Sequence, residues 1–399
     1  MTSVAAETPP RGTRPRNRRA ITIEAATELF WKRGYAGVSM SDIAEATNVG
    51  ASALYRHFPG KAEVLVAAVQ TGLAGYGAVL DEVDAGEHEQ EGRLPFLLRR
   101  LAETSLDHRA LGALWQREAR SLDEPEQRLL RDELARHTHR VAEIILADRP
   151  ELDAGAADLL AWCAMGVLVS PSFHSATLPT PDFVAVMVDM VSTIVSMPIP
   201  SGEQADAAVT AAPPHESRRD MIITVATELF AERGFAATGI DEIGEAVGIA
   251  GPSVYSHFEN KAAILVAAID RAHAILRIDR DEILATELPP EQKLSRLVDS
   301  YVTVANSDRA VIRILLSELM NLPEEDRRTA RQLQRDYIDA WVELLRAFTD
   351  TDATSARIRV QAVLLVVNDA VQTPHLRERD RFERTMKRMS KLLLTITDA

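Results

Sequence analysis

The chain has 399 residues, 46% of them hydrophobic and 26% charged, so it is long and apolar enough for two or more cores, and disorder as a general state is excluded. Forty-five basic residues against 59 acidic ones give a formal charge of −14, a balance unlike that of a nucleic-acid coat protein or an anionic-membrane binder. Cys163 is the sole cysteine, which excludes an intrachain disulfide framework and a cysteine-based zinc site and fits a reducing cytoplasm.

In chain order, the first 20 residues are polar and carry Arg11, Arg14, Arg16, Arg18 and Arg19 spaced by Pro9, Pro10 and Pro15. With no apolar run there, an export signal is not expected, and the segment reads as a basic arm. Ile21, Ala25, Leu29 and Phe30 share one face of a helix that Gly34 ends, glycine tolerating the left-handed backbone common at helix C-termini. Ser39 stands three residues before Asp42, the spacing of a capping box, and predicts a short helix over 40–47. A turn at Val49-Gly50 leads to a second short helix over 52–57, and Pro59-Gly60 breaks it before a long helix starts near Lys61. Amphipathic helices follow, and alternating strand-like runs are scarce, so the expected fold is all-α. The longest uninterrupted apolar stretch, 159–169, is shorter than a bilayer span, and 183–197 is broken by Asp189 and Ser192. A soluble chain with no membrane partner is expected.

After Met197 come Pro-Ile-Pro-Ser-Gly, a run of small residues and Pro213-Pro214 without helical period. This segment, 198–216, reads as a linker, and as a flexible coil its roughly 20 residues would span about 25 Å. Beyond it the sequence repeats. Residues 218–268 align on 18–68 without a gap, with close to half the positions identical, and Glu118, Leu122, Glu124, Arg128, Arg131 and Glu143 fall on Glu318, Leu322, Glu324, Arg328, Arg331 and Glu343. A period near 200 residues is too long for a solenoid, because each unit can bury its own core. Two copies of a whole protein in one chain predict a pseudo-dimer paired within the polypeptide. The expected divisions are a first head with its arm (1–72), a first body (73–197), the linker, a second head (217–271) and a second body (272–399).

Two short helices joined by a tight turn make a helix-turn-helix, whose second helix enters the major groove. Leu54-Tyr55-Arg56-His57-Phe58-Pro59-Gly60-Lys61, repeated as Val254-Tyr255-Ser256-His257-Phe258-Glu259-Asn260-Lys261, makes the pattern specific. Over about 50 residues in each unit the chain resembles the TetR family of bacterial regulators, and its doubled form resembles the tandem TetR-type regulators of actinobacteria. The resemblance implies that Tyr55, His57 and Lys61, and likewise Tyr255, His257 and Lys261, face the phosphates of double-stranded DNA. Phe58 and Phe258 are expected to pack the small head core instead. Ser39, Arg18 and Arg19, the arginines recurring as Arg218 and Arg219, join the expected DNA contacts.

Base reading is expected from Gly50, Ala51, Ser52, Ala53 and Arg56 in the first unit and from Ala250, Gly251, Pro252, Ser253 and Ser256 in the second. These sets differ, which predicts an operator that is not a palindrome, with helix centres about one DNA turn, roughly 34–36 Å, or a multiple apart. Small residues make only apolar or hydroxyl contacts, so DNA shape is expected to carry much of the specificity. Residues 1–70 hold nine Lys or Arg against six acids and residues 214–270 four against nine, so the first head is expected to bind DNA more strongly.

In the family each body binds a ligand and dimerises. Trp115, Trp162, Phe173 and His174, and in the second unit Tyr301, Met320, Trp341 and Asn368, suit an apolar pocket for a small-molecule effector, though any one of them also suits ordinary helical core. Segments 115–122 and 316–322 resemble those of regulators answering lipid-derived or acyl thioester compounds. The last helices of each unit, around 159–169 with 183–197 and 360–371 with 382–395, are apolar enough for a four-helix interface. His137 and His139, two apart, diverge on a helix, and neither a metal site, a cofactor fingerprint nor a catalytic constellation is expected. The reading is a ligand-responsive repressor and not an enzyme; its rival is a ligand-binding scaffold or protein-interaction module that keeps the helix-turn-helix shape, and salt-dependent, sequence-specific DNA binding separates the two.

Overall fold

A computed structural model of the chain describes residues 18–86, 92–199 and 217–397. Among them every regular element is helical. Residues up to Ser175 with Thr180–Ser192 form one compact unit, and Ala176–Pro179 with Thr193 onward form the other. The basic arm up to Arg16 and nearly all of the linker lie outside the described residues.

The first unit opens with α1 (Arg18–Arg33), α2 (Met40–Ala46), α3 (Ala51–Leu54) and α4 (Lys61–Asp84). Gly34 stops α1 with φ of +74°, as its position in the sequence requires. Ser39 caps α2 as expected: its hydroxyl accepts the Asp42 N–H at 3.2 Å, and the Asp42 carboxylate accepts the Ser39 N–H at 2.7 Å. The helix ends one residue before the expected Thr47, whose buried hydroxyl turns back to the Ile43 carbonyl at 2.8 Å. The second short helix is also shorter than 52–57: the His57 and Phe58 amides both bond the Leu54 carbonyl, closing a turn before Pro59. Phe30, Ile43, Leu54 and Phe58 fill the head core and are fully buried. Truncating one of these phenylalanines to alanine removes contacts worth about 3–5 kcal/mol.

The first body continues with α5 (Arg93–Asp107), then α6 (Leu111–Ala113), which runs into a π-turn (Leu114–Glu118) and a 3₁₀ turn (Ala119–Ser121). Next come α7 (Glu124–Asp148), α8 (Ala154–Val169) and, past a 3₁₀ turn at Ser170–Phe173, α9 (Thr180–Ser196). Asp123 and Glu126 form a second capping box at the start of α7, and Asp153 caps α8. The long α4 belongs to head and body at once. It packs on α1 below and on α5 and α7 above.

The second unit repeats the plan with α10 (Arg218–Arg233), α11 (Ile240–Ala246), α12 (Gly251–Val254), α13 (Lys261–Leu284), α14 (Pro290–Ser307), α15 (Arg309–Ser317), α16 (Glu324–Phe348), α17 (Ala353–Gln372), α18 (Pro374–Arg377) and α19 (Phe382–Leu393). Gly234 takes φ of +84° where Gly34 takes its own. Gly239 has no hydroxyl to complete a cap, so only the reverse bond, its N–H to Glu242, remains at 2.7 Å. Two helices, Lys61–Asp84 and the stretch 154–173, are long and apolar enough to cross a bilayer by composition, but most of each apolar window, 56% and 78%, is buried inside the protein. Their apolar surface serves the core.

Candidate nucleic-acid interface

Each head presents its second short helix and the following turn at the surface. Tyr55 and Tyr255 are 52% and 55% exposed. Arg56, His57, Ser256 and His257 are exposed beside them, as are Gly50, Ser52, Ala250, Pro252 and Ser253; Ala53 is half-buried, and Ala51 opens α3. This places most of the expected DNA-facing residues on one surface of each head. Arg19 lies with its guanidinium 5.2 Å from the Phe58 ring centroid, and Arg219 repeats the contact over Phe258 at 4.5 Å. The rings thus pack the core, as expected for Phe58 and Phe258, and also hold an arginine at the edge of the recognition surface by cation–π attraction. Arg18 begins α1 and is half-buried, and its counterpart Arg218 donates to the Val247 carbonyl at the end of α11 at 3.0 Å.

Three expected contacts depart from that picture. The Lys61 ammonium does not point outward: it donates to the main-chain carbonyls of Tyr35 (2.8 Å) and Val38 (2.9 Å) and sits 4.0 Å from the Tyr35 ring centroid. Burial pulls it below the ordinary lysine range. The Lys261 ammonium makes the same contacts, donating to the carbonyls of Phe235 (2.7 Å) and Thr238 (2.9 Å) beside the Phe235 ring. Both lysines therefore tie the α1–α2 and α10–α11 loops to the long helix. Gly251, expected to read bases, is buried under α11: a Cβ there would overlap the Asp241 carboxylate, and a Cβ on Gly244 would lie 3.0 Å from the Gly251 Cα. Ala44 and Ala51 stand at the corresponding places in the first head, so two missing methyls let α11 and α12 approach more closely than a pair of alanines permits.

The two surfaces also differ in charge. Exposed Asp241 and Glu259 stand where the first head has Ser41 and Pro59, and Ser256 replaces Arg56. At these positions the second head carries two added carboxylates and lacks one guanidinium relative to the first.

The sequence profile described as bacterial regulatory proteins of the tetR family matches twice, at residues 23–68 and 222–268, and a profile described as the tetracyclin repressor-like C-terminal domain matches residues 287–375. The chain belongs to the TetR family. The twice-matched N-terminal profile supports the tandem arrangement. Among curated relatives, the HTH-type transcriptional activator FasR of Mycolicibacterium smegmatis is 28% identical over 102 residues, 26% of this chain and 47% of FasR, so the match spans about half of that relative. The HTH-type transcriptional repressor KstR2 of Rhodococcus jostii is 27% identical over 157 residues, 38% of this chain and 75% of KstR2. Among solved structures, a regulatory protein of the tetR family from Rhodococcus RHA1 aligns with a TM-score of 0.41 at 20% identity, covering 45% of this chain and 97% of its own. Its relatives are transcription regulators that bind DNA.

In the first body the four expected pocket residues are half-buried. Trp115 lies on the π-turn, Trp162 on α8, Phe173 beneath the Arg117 guanidinium at 5.8 Å, and His174 against the Phe183 ring at 6.2 Å. In the second body three of the four do meet. The Tyr301 hydroxyl donates to the Asn368 amide oxygen at 2.7 Å, and its ring meets Trp341 edge-on at 5.9 Å. Tyr337, which periodicity alone did not single out, completes the cluster against both rings. Burial pushes the Tyr301 and Tyr337 phenols up. Met320 stays apart, 43% exposed on a 3₁₀ turn with its sulfur facing Arg331, because α15 has ended before it. His137 is buried and His139 exposed beside Glu143, on diverging sides of α7.

A further pair of residues, to which the sequence alone assigns no role of its own, joins body to head. Glu118 reaches from the body to accept the Tyr35 N–H at 2.7 Å, and Glu318 accepts the Phe235 N–H at 3.2 Å. Burial raises the Glu118 carboxyl above its ordinary range, with the Tyr35 amide and Arg117 opposing.

Proposed function

We propose that this chain is a ligand-responsive transcription regulator, a repressor, whose two dissimilar heads read two unequal half-sites, so that its operator is not a palindrome. The observation that supports this most is the pair of recognition surfaces: one scaffold, repeated with its exposed tyrosine and histidine, carries Arg56 in one copy and Ser256 in the other. A homodimer offers identical helices to both half-sites, whereas one chain with two different heads does not. The first head, with Arg56 and the basic arm, supplies the larger share of phosphate attraction, and the second, with Asp241 and Glu259, the smaller.

In this reading the bodies span 73–197 and 272–399 and pair within the chain through their last helices, with 198–216 returning the polypeptide. The effector, lipid-derived or an acyl thioester, binds a body conformation that mis-spaces the heads and releases DNA by population shift, to the extent of its differential affinity for the two states. A cytoplasmic location follows from that role. Selection of bound fragments from genomic DNA of the source organism by the full-length chain is the test. Enrichment of an asymmetric motif with two unequal halves supports the reading. A palindrome points instead to two chains pairing through one dominant head, and absence of any enriched motif points to a scaffold that has lost specific DNA binding.

A further inference from the structure

We infer that Glu118 and Glu318 are the positioning residues by which each body sets the orientation of its own head, and that the grip in the first unit is the one built to move. The inference rests on the DNA-binding reading. The short loop after α1 carries the helix-turn-helix at its far end, so whatever fixes this loop fixes α2 and α3. It is held from two sides. Lys61, at the start of α4, bonds the carbonyls of Tyr35 and Val38, while Glu118, from the body, takes the N–H of Tyr35. The second unit repeats all three bonds, with Lys261 on Phe235 and Thr238 and Glu318 on Phe235, at the same sequence separations of 26, 23 and 83 residues. The loop residues they hold have diverged, Tyr35 to Phe235 and Val38 to Thr238, yet the lysine and the glutamate are unchanged. The bonds engage main-chain atoms, which divergence does not alter.

The two grips differ in what stands behind the carboxylate. Glu118 is the last residue of the π-turn Leu114–Glu118, which carries one residue more per turn than an α-helix. Relaxing that turn to α geometry shifts Glu118 by one register position, about 100° and 1.5 Å along the axis, and carries the Tyr35 amide with it. Trp115, one of the expected effector contacts, sits on the same turn. A second tie joins head to body here: Trp31 on α1 donates its indole N–H to the Ser172 carbonyl at 2.9 Å, and the Ser172 hydroxyl accepts the Gly112 N–H at 3.0 Å just before the π-turn. In the second unit Ala231 replaces Trp31, α15 runs in α geometry to Ser317, and Glu318 is further clamped by the Asn321 amide (2.8 Å), with the Ser317 hydroxyl shared between the Arg313 carbonyl (2.9 Å) and Glu318 (3.0 Å). That grip is fixed.

Hydrogen–deuterium exchange of the full-length chain tests this without DNA or effector. Glu118→Ala is expected to speed amide exchange in the 34–38 peptide at least tenfold and leave 234–238 unchanged, Glu318→Ala to do the reverse, and Glu118→Gln, which keeps an acceptor oxygen, to restore protection. Should the alanine variant not fold, Glu118→Asp, which withdraws the carboxylate by one methylene, carries the same expectation. Unchanged protection at 34–38, or equal effects of alanine and glutamine, overturns the positioning role. In the parent chain, amides of 114–118 should exchange faster than those of 314–318; equal rates overturn the asymmetry. On the selected DNA fragment, Glu118→Ala is expected to weaken binding severalfold with an unchanged salt slope, since no cation that meets a phosphate is removed, and unchanged affinity overturns the link between this grip and DNA binding. A chain that binds no fragment counts against the DNA-binding reading alone, because the exchange result stands without it.

Discussion

An ammonium group that already holds two carbonyls and lies over a ring face has little left to offer a phosphate. Lys61→Met is therefore expected to lower the unfolding free energy of the first head by about 1.5–3 kcal/mol, the worth of hydrogen bonds to a charged group, while leaving the salt slope of DNA binding where it was. Denaturant melts and binding at several salt concentrations check the two halves of that statement; a slope reduced by about one returns Lys61 to the phosphates. His273 offers a separate check on the second body. Burial pushes its imidazole from 6.5 down to about 4, so the unfolded chain takes up the proton first. The stability it contributes is present above pH 6.5 and is lost as pH falls toward 4, with a ceiling of roughly 3 kcal/mol. His273→Leu, which installs the residue found at position 73, should flatten the stability curve across that window. Asp369, pushed up to about 6 by burial, contributes the opposite slope in an overlapping range, so the difference between parent and variant is the readout, and parallel curves refute the assignment. Residue types were legible in the sequence here, but their directions were not, because whether a lysine faces a phosphate or a carbonyl depends on where the preceding loop ends.

In the heads and the long helices that follow them, the repeat preserves helix lengths and changes contacts, whereas α5, α8 and α9 differ in length from α14, α17 and α19. The capped and glycine-stopped helices followed from Ser39, Asp42, Gly34 and Gly234, since each signal acts on its own backbone. The 55–57 turn and the π-turn at 114–118 did not: the first closes through two amides that share the Leu54 carbonyl, and the second has no signal in the sequence. Gly244 and Gly251 show the same limit: each reads as a weak helix residue, and only the close approach of α11 to α12 explains them. Gly244→Ala is expected to destabilise the second head by about 1–3 kcal/mol through overpacking, despite the better helix propensity of alanine, and to shift the amide resonances of α12. A neutral or stabilising result means that the two helices already have room for the methyl. The pocket residues divide along similar lines. Tyr301, Trp341 and Asn368 converge because α14, α16 and α17 pack together, whereas Met320 lies past the end of α15 and stays at the surface.

Across the whole molecule, duplication was the most legible feature, because identity at a fixed offset needs no knowledge of packing. The all-α fold followed from helical periodicity, and the two helix-turn-helix heads from the repeated tyrosine, histidine, phenylalanine and lysine pattern. The charge difference between heads was equally plain, but its placement was not: Asp241 and Glu259 matter because they are exposed on the recognition side of the second head, and Arg56 because it is exposed on that of the first. The central claim is that both heads of one chain read DNA, and differently. Nuclease footprinting on the selected fragment, with the parent chain and with variants carrying alanine at Tyr55, Arg56 and His57 or at Tyr255, Ser256 and His257, tests it most directly. The account predicts that each triple variant loses protection over a different half of the site, with the larger loss of affinity from the first. A footprint that keeps its full length when the second head is altered would contradict it.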